Sequence, residues 1–367
     1  MREKIGPSLI IGIKGLSLTD DEAAFLVREN IGGVILFKRN FESPRQLFEL
    51  STELRSLAKK KGDKVPFFIS VDQEGGRVAR FRKPFTEWPP MAAVGKLDSA
   101  TVSFKVGQIL AQELAAVGVN LNFAPSIDIF TNPLNTVIGD RSFSTDAEIV
   151  AKLGSAMVRG MIKGGVIPVA KHFPGHGNTL IDSHEELPIE NQTLGEIEVR
   201  ELIPFKQVFR ARLSVLMSSH LKFPNIDPDW PVSLSEIFLK DILRDQLRYR
   251  GLVISDDLDM KALAKYHTKA EIAVRALQAG SNILCYCNEP DSPVIALDAI
   301  EKAVRDKTLP LQVLIENAAK INTVKTEGHF DQTPLVWAVA EKIVGAASHV
   351  ALAEAVRAGS VPASLLE

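Results

Sequence analysis

The sequence predicts an α/β protein built as a (β/α)8 TIM-type barrel, one domain with an appended C-terminal helical segment. Three observations carry that expectation. Short β-rich apolar runs recur eight times, each is followed by a longer segment of helical periodicity, and polar residues collect just beyond the ends of the runs. The runs are continuous rather than alternating, as parallel strands covered on both faces require. A doubly wound open sheet carries the same signature, and periodicity does not separate the two.

In chain order the runs are SLIIGIKG near 8–15, GGVILF at 32–37, PFFISVDQ at 66–73 and NLNFAPSIDI at 120–129. GVIPVAKHF at 165–173, LSVLMSSH at 213–220, GLVISDDL at 251–258 and SNILCYCN at 281–288 follow. Between them lie helix-periodic stretches such as SPRQLFELSTELRSLAKK, SFKVGQILAQELAAVG and AEIVAKLGSAMVRGMIKGG. In VSLSEIFLKDILRDQLRY, Ser233 and Glu236 have the spacing of a capping box, ahead of an apolar stripe through Phe238, Leu239, Ile242 and Leu243. The barrel is expected over residues 1–325. After a break at GHFDQTP, residues 326–367 read as a helical extension packed on it.

Composition narrows the function classes. The 367 residues are 46% hydrophobic, enough for a substantial core. With 43 basic and 45 acidic residues spread along the chain, the net charge of −2 gives no electrostatic case for nucleic acid or an anionic membrane. The two cysteines, Cys285 and Cys287, suit neither a disulfide framework nor a zinc ribbon and read as reduced thiols on a buried strand. The apolar start MREKIGPSLIIGIKGLSL is interrupted by Lys14, and no small-x-small pattern follows, so a signal peptide is not expected. No apolar stretch reaches the roughly 20 residues of a membrane span. A soluble, cytoplasmic, monomeric protein is the expectation.

A barrel gathers its chemistry where the βα loops converge. The third run ends in VDQEGG, with Arg77 and Arg80 just beyond, and the fourth leads through Asp128 to IGDRSFS. The fifth ends in Lys171 and His172, the sixth in His220, the seventh in Asp256 and Asp257. One polar strand end is ordinarily just solvated; five in succession predict an active site. Adjacent carboxylates on a strand point to opposite sides, so one of Asp256 and Asp257 faces the pocket and the other needs a structural partner. The pocket-facing carboxylate suits a nucleophile for a sugar carbon, and equally a helix N-cap or a magnesium ligand.

The stretch KHFPGHGNTLIDSHEELP holds three of the seven histidines. Lys171 and His172 finish a strand, so one of them is expected to face the pocket mouth. GHG offers backbone amides to an anion, without any Walker or dinucleotide spacing around it. His172 and His176 have the i, i+4 spacing of a helical metal pair, but Pro174 and Gly175 argue against a helix there. Asp182 and His184, at i and i+2, fall on one side of an extended loop, an arrangement in which the carboxylate orients the imidazole for general acid/base work. A solvated D-x-H loop is the commoner meaning of such a pair.

KHFPGHGN…DSHEELP, GLVISDDLDM, VDQEGGRVAR and IGDRSFS together resemble the signature set of family-three glycoside hydrolases. Within that family they are most similar to the single-domain bacterial β-N-acetylglucosaminidases (β-hexosaminidases) of peptidoglycan recycling. The resemblance runs over roughly residues 5–325 in the family's order. It implies a (β/α)8 barrel and a retaining mechanism in which Asp256 attacks the anomeric carbon and His184, assisted by Asp182, is the general acid/base. It also implies that Asp72, Arg80, Arg141, Lys171 and His172 hold the sugar, that His176 belongs to the same loop architecture, and that Met217 lines the acetamido pocket. Relatives often carry Asp, Ser or Thr where this chain has Asn178, which puts only the local loop conformation in doubt. Multidomain β-glucosidases of the family take their acid/base from a second domain, for which this chain has no room. The implied substrates are GlcNAc-containing muropeptides, with no cofactor and no metal, and the DSH loop is expected to close over them. The alternatives are a β-N-acetylglucosaminide phosphorylase, a β-glucosidase of the family, a metal-dependent barrel hydrolase using His172, His176 and Asp256, and a non-catalytic sugar-binding protein.

Overall fold

In the computed structural model, which describes residues 1–60, 67–180, 182–183, 185–328 and 335–367, all eight runs become parallel strands of one sheet. They are β1 (Leu9–Gly12), β2 (Gly33–Leu36), β3 (Phe68–Val71), β4 (Leu121–Asn122), β5 (Ile167–Phe173), β6 (Val215–Ser218), β7 (Leu252–Asp257) and β8 (Ile283–Tyr286). β1 pairs with β2 on one side and with β8 on the other, Ile10 lying opposite Cys285, so the sheet closes on itself and leaves no edge strand. That ladder decides between barrel and open sheet.

The β3–β4 ladder is shorter than the apolar runs because side chains take over backbone pairing at both of its ends. At β4, Asn120 accepts from Ile69 N (2.8 Å) and donates to Phe67 O (2.9 Å). Asn122 does the same for Gln73, accepting from its N–H (3.0 Å) and donating to its carbonyl (2.9 Å). The Asn122 amide fixes the path of the chain where β3 turns into the site.

The ring of helices comprises α1 (Asp20–Arg28), α2 (Pro44–Lys60), α3 (Ala100–Ala116), α4 (Ala147–Gly164), α5 (Leu202–Arg210), α6 (Ile237–Gln246), α7 (Lys269–Ala279) and α8 (Ser292–Arg305). The capping box expected between Ser233 and Glu236 does not form. Ser233 falls instead in a 3-10 turn (Val232–Leu234), where its hydroxyl meets His220, and Ser235 caps the π-helical α6 by accepting from Phe238 N (3.1 Å). The helix starts too late for Glu236 to reach back to Ser233.

Two apolar layers hold the barrel. One lies between strands and helices; the other fills the interior with Ile10, Ile35, Phe68, Phe123, Val169, Met217 and Ile254. The helix α9 (Leu311–Glu327) plugs the lower end, inserting Ile321 into the interior cluster and placing Lys325 Nζ 2.7 Å from Gly32 O and over the Phe68 ring. A packed interior leaves only the upper rim for chemistry. Beyond it, α10 (Trp337–Ile343) and α11 (Ala347–Ala358) lie against the barrel's helices. The buried Glu113 carboxylate of α3 binds this segment, accepting from Gly345 N (3.0 Å), His349 Nδ1 (2.8 Å), Thr86 N (2.9 Å) and Thr86 Oγ1 (2.6 Å). Among the described residues no helix is long and apolar enough to cross a membrane.

Candidate active site

The first half of the site grows from the end of β3. Past Val71 the chain enters a tight hairpin (Gln73–Gly75 against Val78–Ala79), clamped by Gln73, whose Oε1 accepts from Arg80 N (2.8 Å) and Phe81 N (3.1 Å). Gly75, at φ +111°, makes a turn few other residues tolerate. The hairpin presents Asp72, Glu74 and Arg80 together at the rim. Lys171 Nζ, at the end of β5, bridges Asp72 Oδ1 (2.7 Å) and Glu74 Oε1 (2.6 Å). Arg141, from the loop after β4, grips Glu74 with two parallel bonds (Nε to Oε2 2.9 Å, Nη2 to Oε1 2.8 Å). Arg80 Nη2 reaches Asp72 Oδ2 at 3.4 Å, while its buried Nε has no acceptor among the described residues. Burial alone would raise the Glu74 pKa, but the Arg141 and Lys171 charges hold it well below the usual carboxylate range. Burial opposes the Lys171 charge too, and Asp72 and Glu74 reverse that, keeping its pKa above the ordinary lysine value.

Asp128, fully buried past β4, organises the histidines. Its Oδ1 accepts from His176 N (2.7 Å) and His172 N (3.2 Å), and its Oδ2 from Ser126 Oγ (2.8 Å) and His172 Nδ1 (2.7 Å). The anion cradled by the GHG backbone is therefore an internal carboxylate. Four donors, with His172 beside it, outweigh burial and keep Asp128 ionised well below the ordinary range. His172 Nε2 lies 3.4 Å from Arg141 Nη2, and Nδ1 faces Asp128. Gly177 is required here, since a Cβ would meet Ile129 O at 1.6 Å.

Both Lys171 and His172 reach the site, whereas strand alternation predicts one. The register of β5 against β6 shifts between Ala170 and Phe173, and alternation is lost across that irregularity. His176 lies in the loop architecture that follows β5. It is 2% exposed, with Nδ1 against Thr179 Oγ1 (2.8 Å) and Nε2 against Ser183 Oγ (3.2 Å), so it anchors the DSH loop from below.

The second half of the site is the end of β7. Asp257 N donates to Asp256 Oδ1 (2.8 Å), fixing the orientation of that carboxylate. Asp257 is the partner with the structural contacts: its Oδ1 accepts from Asp259 N and Cys287 N, both at 3.2 Å. Burial, followed by the nearby Asp259 and Asp256 charges, pushes the Asp257 pKa up to about 6. His220 is fully buried behind it and donates from Nε2 to Asp257 O (2.9 Å), with Nδ1 on Ser233 Oγ (2.7 Å). It braces the strand end. Met217 packs into the barrel interior below the site.

His184 lies outside the described residues. Its loop neighbours dock beside the segment that follows β7. Ser183 O accepts from Ala262 N (3.3 Å), Glu185 pairs with Lys261 (2.7 Å), and Glu186 accepts from Lys265 and from Tyr266 Oη (2.6 Å). Asp182 O accepts from Glu185 N (2.9 Å), closing a turn. Sequence reasoning missed Glu74, and it placed Asp128 near the rim without giving it a role. Both stand in quoted motifs, but a carboxylate whose partners are far along the chain has no local signal.

A closed barrel whose C-terminal rim carries a charge-balanced network of carboxylates, cations and imidazole defines a barrel enzyme. Residues 1–324 match the glycosyl hydrolase family 3 N terminal domain. The chain belongs to that family and is a glycoside hydrolase. It is 41% identical over 294 residues to the beta-hexosaminidase of Nitrosomonas eutropha, covering 78% of this chain and 82% of that one. To the beta-hexosaminidase of Thiobacillus denitrificans it is 36% identical over 355 residues, covering 95% and 94%. Among solved structures it resembles a family 3 β-N-acetylglucosaminidase from Paenibacillus sp. (TM-score 0.94, 34% identity, 98% of this chain and 68% of that one). It also resembles NagZ from Neisseria gonorrhoeae (TM-score 0.76, 33% identity, 97% and 98%).

Proposed function

We propose that this protein is a retaining exo-β-N-acetylglucosaminidase that removes terminal non-reducing GlcNAc from muropeptides in the cytoplasm. The observation that carries the reading is the convergence of two elements at one rim. The oriented Asp256 carboxylate ends β7, and the Asp182–Ser183 loop is docked against the segment that follows it. Across the barrel mouth, the Asp72–Lys171–Glu74–Arg141–His172 network with Arg80 offers acceptors and donors to the hydroxyls of one sugar ring. The unused Arg80 Nε is a donor awaiting such an oxygen. The relatives' activities point the same way.

In this reading Asp256 attacks the anomeric carbon while His184 gives a proton to the leaving oxygen, forming a glycosyl ester. His184 then takes a proton from water as that water attacks the same carbon, and configuration is retained. An imidazole with a pKa near 6.5 serves both steps near neutral pH. Asp182 holds its orientation, and the sugar-holding network fixes the ring for attack.

The test is p-nitrophenol release from β-GlcNAc and β-glucose substrates, with and without phosphate. Wild type should prefer β-GlcNAc, Asp256→Ala should be inactive, and His184→Ala should lose less rate with this activated leaving group than with a sugar aglycone. Wild type that fails to hydrolyse the β-GlcNAc substrate in every buffer refutes the reading.

A further inference from the structure

Cys285 and Cys287 take no part in the chemistry above, yet their placement is unusual. Residues i and i+2 of a strand point to one side, and for β8 that side is the barrel interior, where both side chains join the interior cluster. Register shifts between Ile283 and Cys285, setting Cys285 opposite Asp257. Cys287 N donates to the Asp257 carboxylate, and the fields of Asp257 and Asp72 reach both sulfurs. The pair therefore sits at the end of β8, between β7 and β1, on the inner side of the barrel. Cys287 is the outer member, 8% exposed against 1% for Cys285, and the two Sγ atoms are 3.7 Å apart.

That spacing selects what the pair can do. A disulfide needs sulfurs at about 2.05 Å and Cα atoms no more than about 6.8 Å apart. Two strand steps of about 3.3 Å already approach that ceiling. A single atom bonded to both sulfurs at about 2.3 Å holds them about 3.4 to 3.7 Å apart, from the narrow angles of a pyramidal centre to tetrahedral ones. The two Sγ atoms stand at 3.7 Å, so closing onto either needs a few tenths of an ångström at most. Zinc would need further ligands, and no group of three or more metal-ligating side chains occurs among the described residues. A monosubstituted trivalent arsenic centre brings its own carbon as third substituent and needs only two sulfurs.

We propose that Cys285 and Cys287 form a bidentate capture site for organic trivalent arsenicals, and that filling it blocks the sugar site. With phenylarsine oxide, two As–S bonds replace the arsenic–oxygen bond, arsenic stays trivalent, and the oxygen leaves as water with both thiol protons. Thiol contact favours the Cys285 thiolate, but burial and the Asp257, Asp256 and Asp72 charges outweigh it; contact with Cys285 and then burial raise the Cys287 pKa. Protonated thiols react poorly with alkylating agents and peroxides, which need the thiolate. Condensation that releases both protons as water suits them better.

Capture is independent of the proposed glycosidase activity; blockade rests on it. The experiment treats the protein with equimolar phenylarsine oxide and reads intact mass, remaining free thiols and β-GlcNAc hydrolysis in parallel. One arsenical per chain, loss of both free thiols, loss of hydrolysis and recovery with excess 2,3-dimercaptopropanol are expected. Cys285→Ser and Cys287→Ser, with Cys285→Ala and Cys287→Ala in case the hydroxyl disturbs folding, should each keep hydrolysis and form no lasting adduct. No adduct on wild type, or a lasting adduct on either single variant, overturns capture. An adduct with hydrolysis intact overturns blockade.

Discussion

The buried carboxylate of Glu74 carries the most weight in the geometry of the rim, and Glu74→Gln measures how much. The carboxylate is 3% exposed and takes two bonds from Arg141 and one contact from Lys171. Gln keeps the volume and one oxygen. That oxygen best replaces Oε1, which serves both Lys171 and Arg141 Nη2, leaving the amide NH2 facing Arg141 Nε, a donor against a donor. Breaking a buried ion pair on one side costs about 3–5 kcal/mol. With two of three contacts kept as weaker neutral-acceptor bonds, about 3 kcal/mol is expected, or a fall of about 4 °C in Tm for a chain of this size. If half of that cost is withheld from the transition state by displaced Arg141 and Lys171, kcat/KM falls about tenfold.

Acid dependence supplies a second readout of the same substitution. The folded pKa of Glu74 lies below its ordinary value of 4.5, so its stabilisation is complete above that pH and is lost as pH falls toward the folded value. The gap between wild type and Glu74→Gln should therefore narrow below about pH 4.5. Thermal melts from pH 7 to 3, with steady-state hydrolysis at pH 7, test this. A variant with unchanged Tm, unchanged acid slope and unchanged kcat/KM refutes the bridging role of Glu74.

Two further perturbations probe the supports of the site. Burial and the neighbouring His172 push the His176 pKa down to about 4, so folding favours the neutral ring; its stabilisation is complete above about pH 6.5 and is lost as pH falls to about 4, a range of about 3 kcal/mol. His176→Gln should flatten denaturant-derived stability across that window, and an unchanged slope counts against the loop anchor. Glu113→Ala strips the acceptor from four donors, including Gly345 N and His349 Nδ1, and should cost about 3 kcal/mol. Amide exchange should rise first in residues 345–358; exchange that rises equally over the whole barrel instead separates the loss from the docking of α10 and α11.

Local order carried much of this protein. Eight apolar runs at helix-length intervals identify eight strands, because a strand covered on both faces must be apolar throughout. The rim residues were legible for a related reason: strand ends are where polar side chains appear, and Asp72, Lys171, His172 and Asp256 all stand there. Their motifs also carried the resemblance to the family. The Ser233–Glu236 box failed because helix onset comes later and moves the cap two residues on, to Ser235, and spacing alone does not report onset.

What the tertiary structure decided were the pairings between distant positions. Barrel closure rests on β1 meeting β8, a contact that no local pattern encodes. Glu74 looked like one acid in VDQEGG until folding set it between Arg141 and Lys171. Asp128 stood at a polar strand end with no assigned role and proved to hold two histidines. The i, i+4 pair His172 and His176 divided into a rim residue and a buried loop anchor. Hydrophobic periodicity is a property of neighbouring residues, so the chain states it outright. A buried charge depends on partners that only the closed barrel assembles.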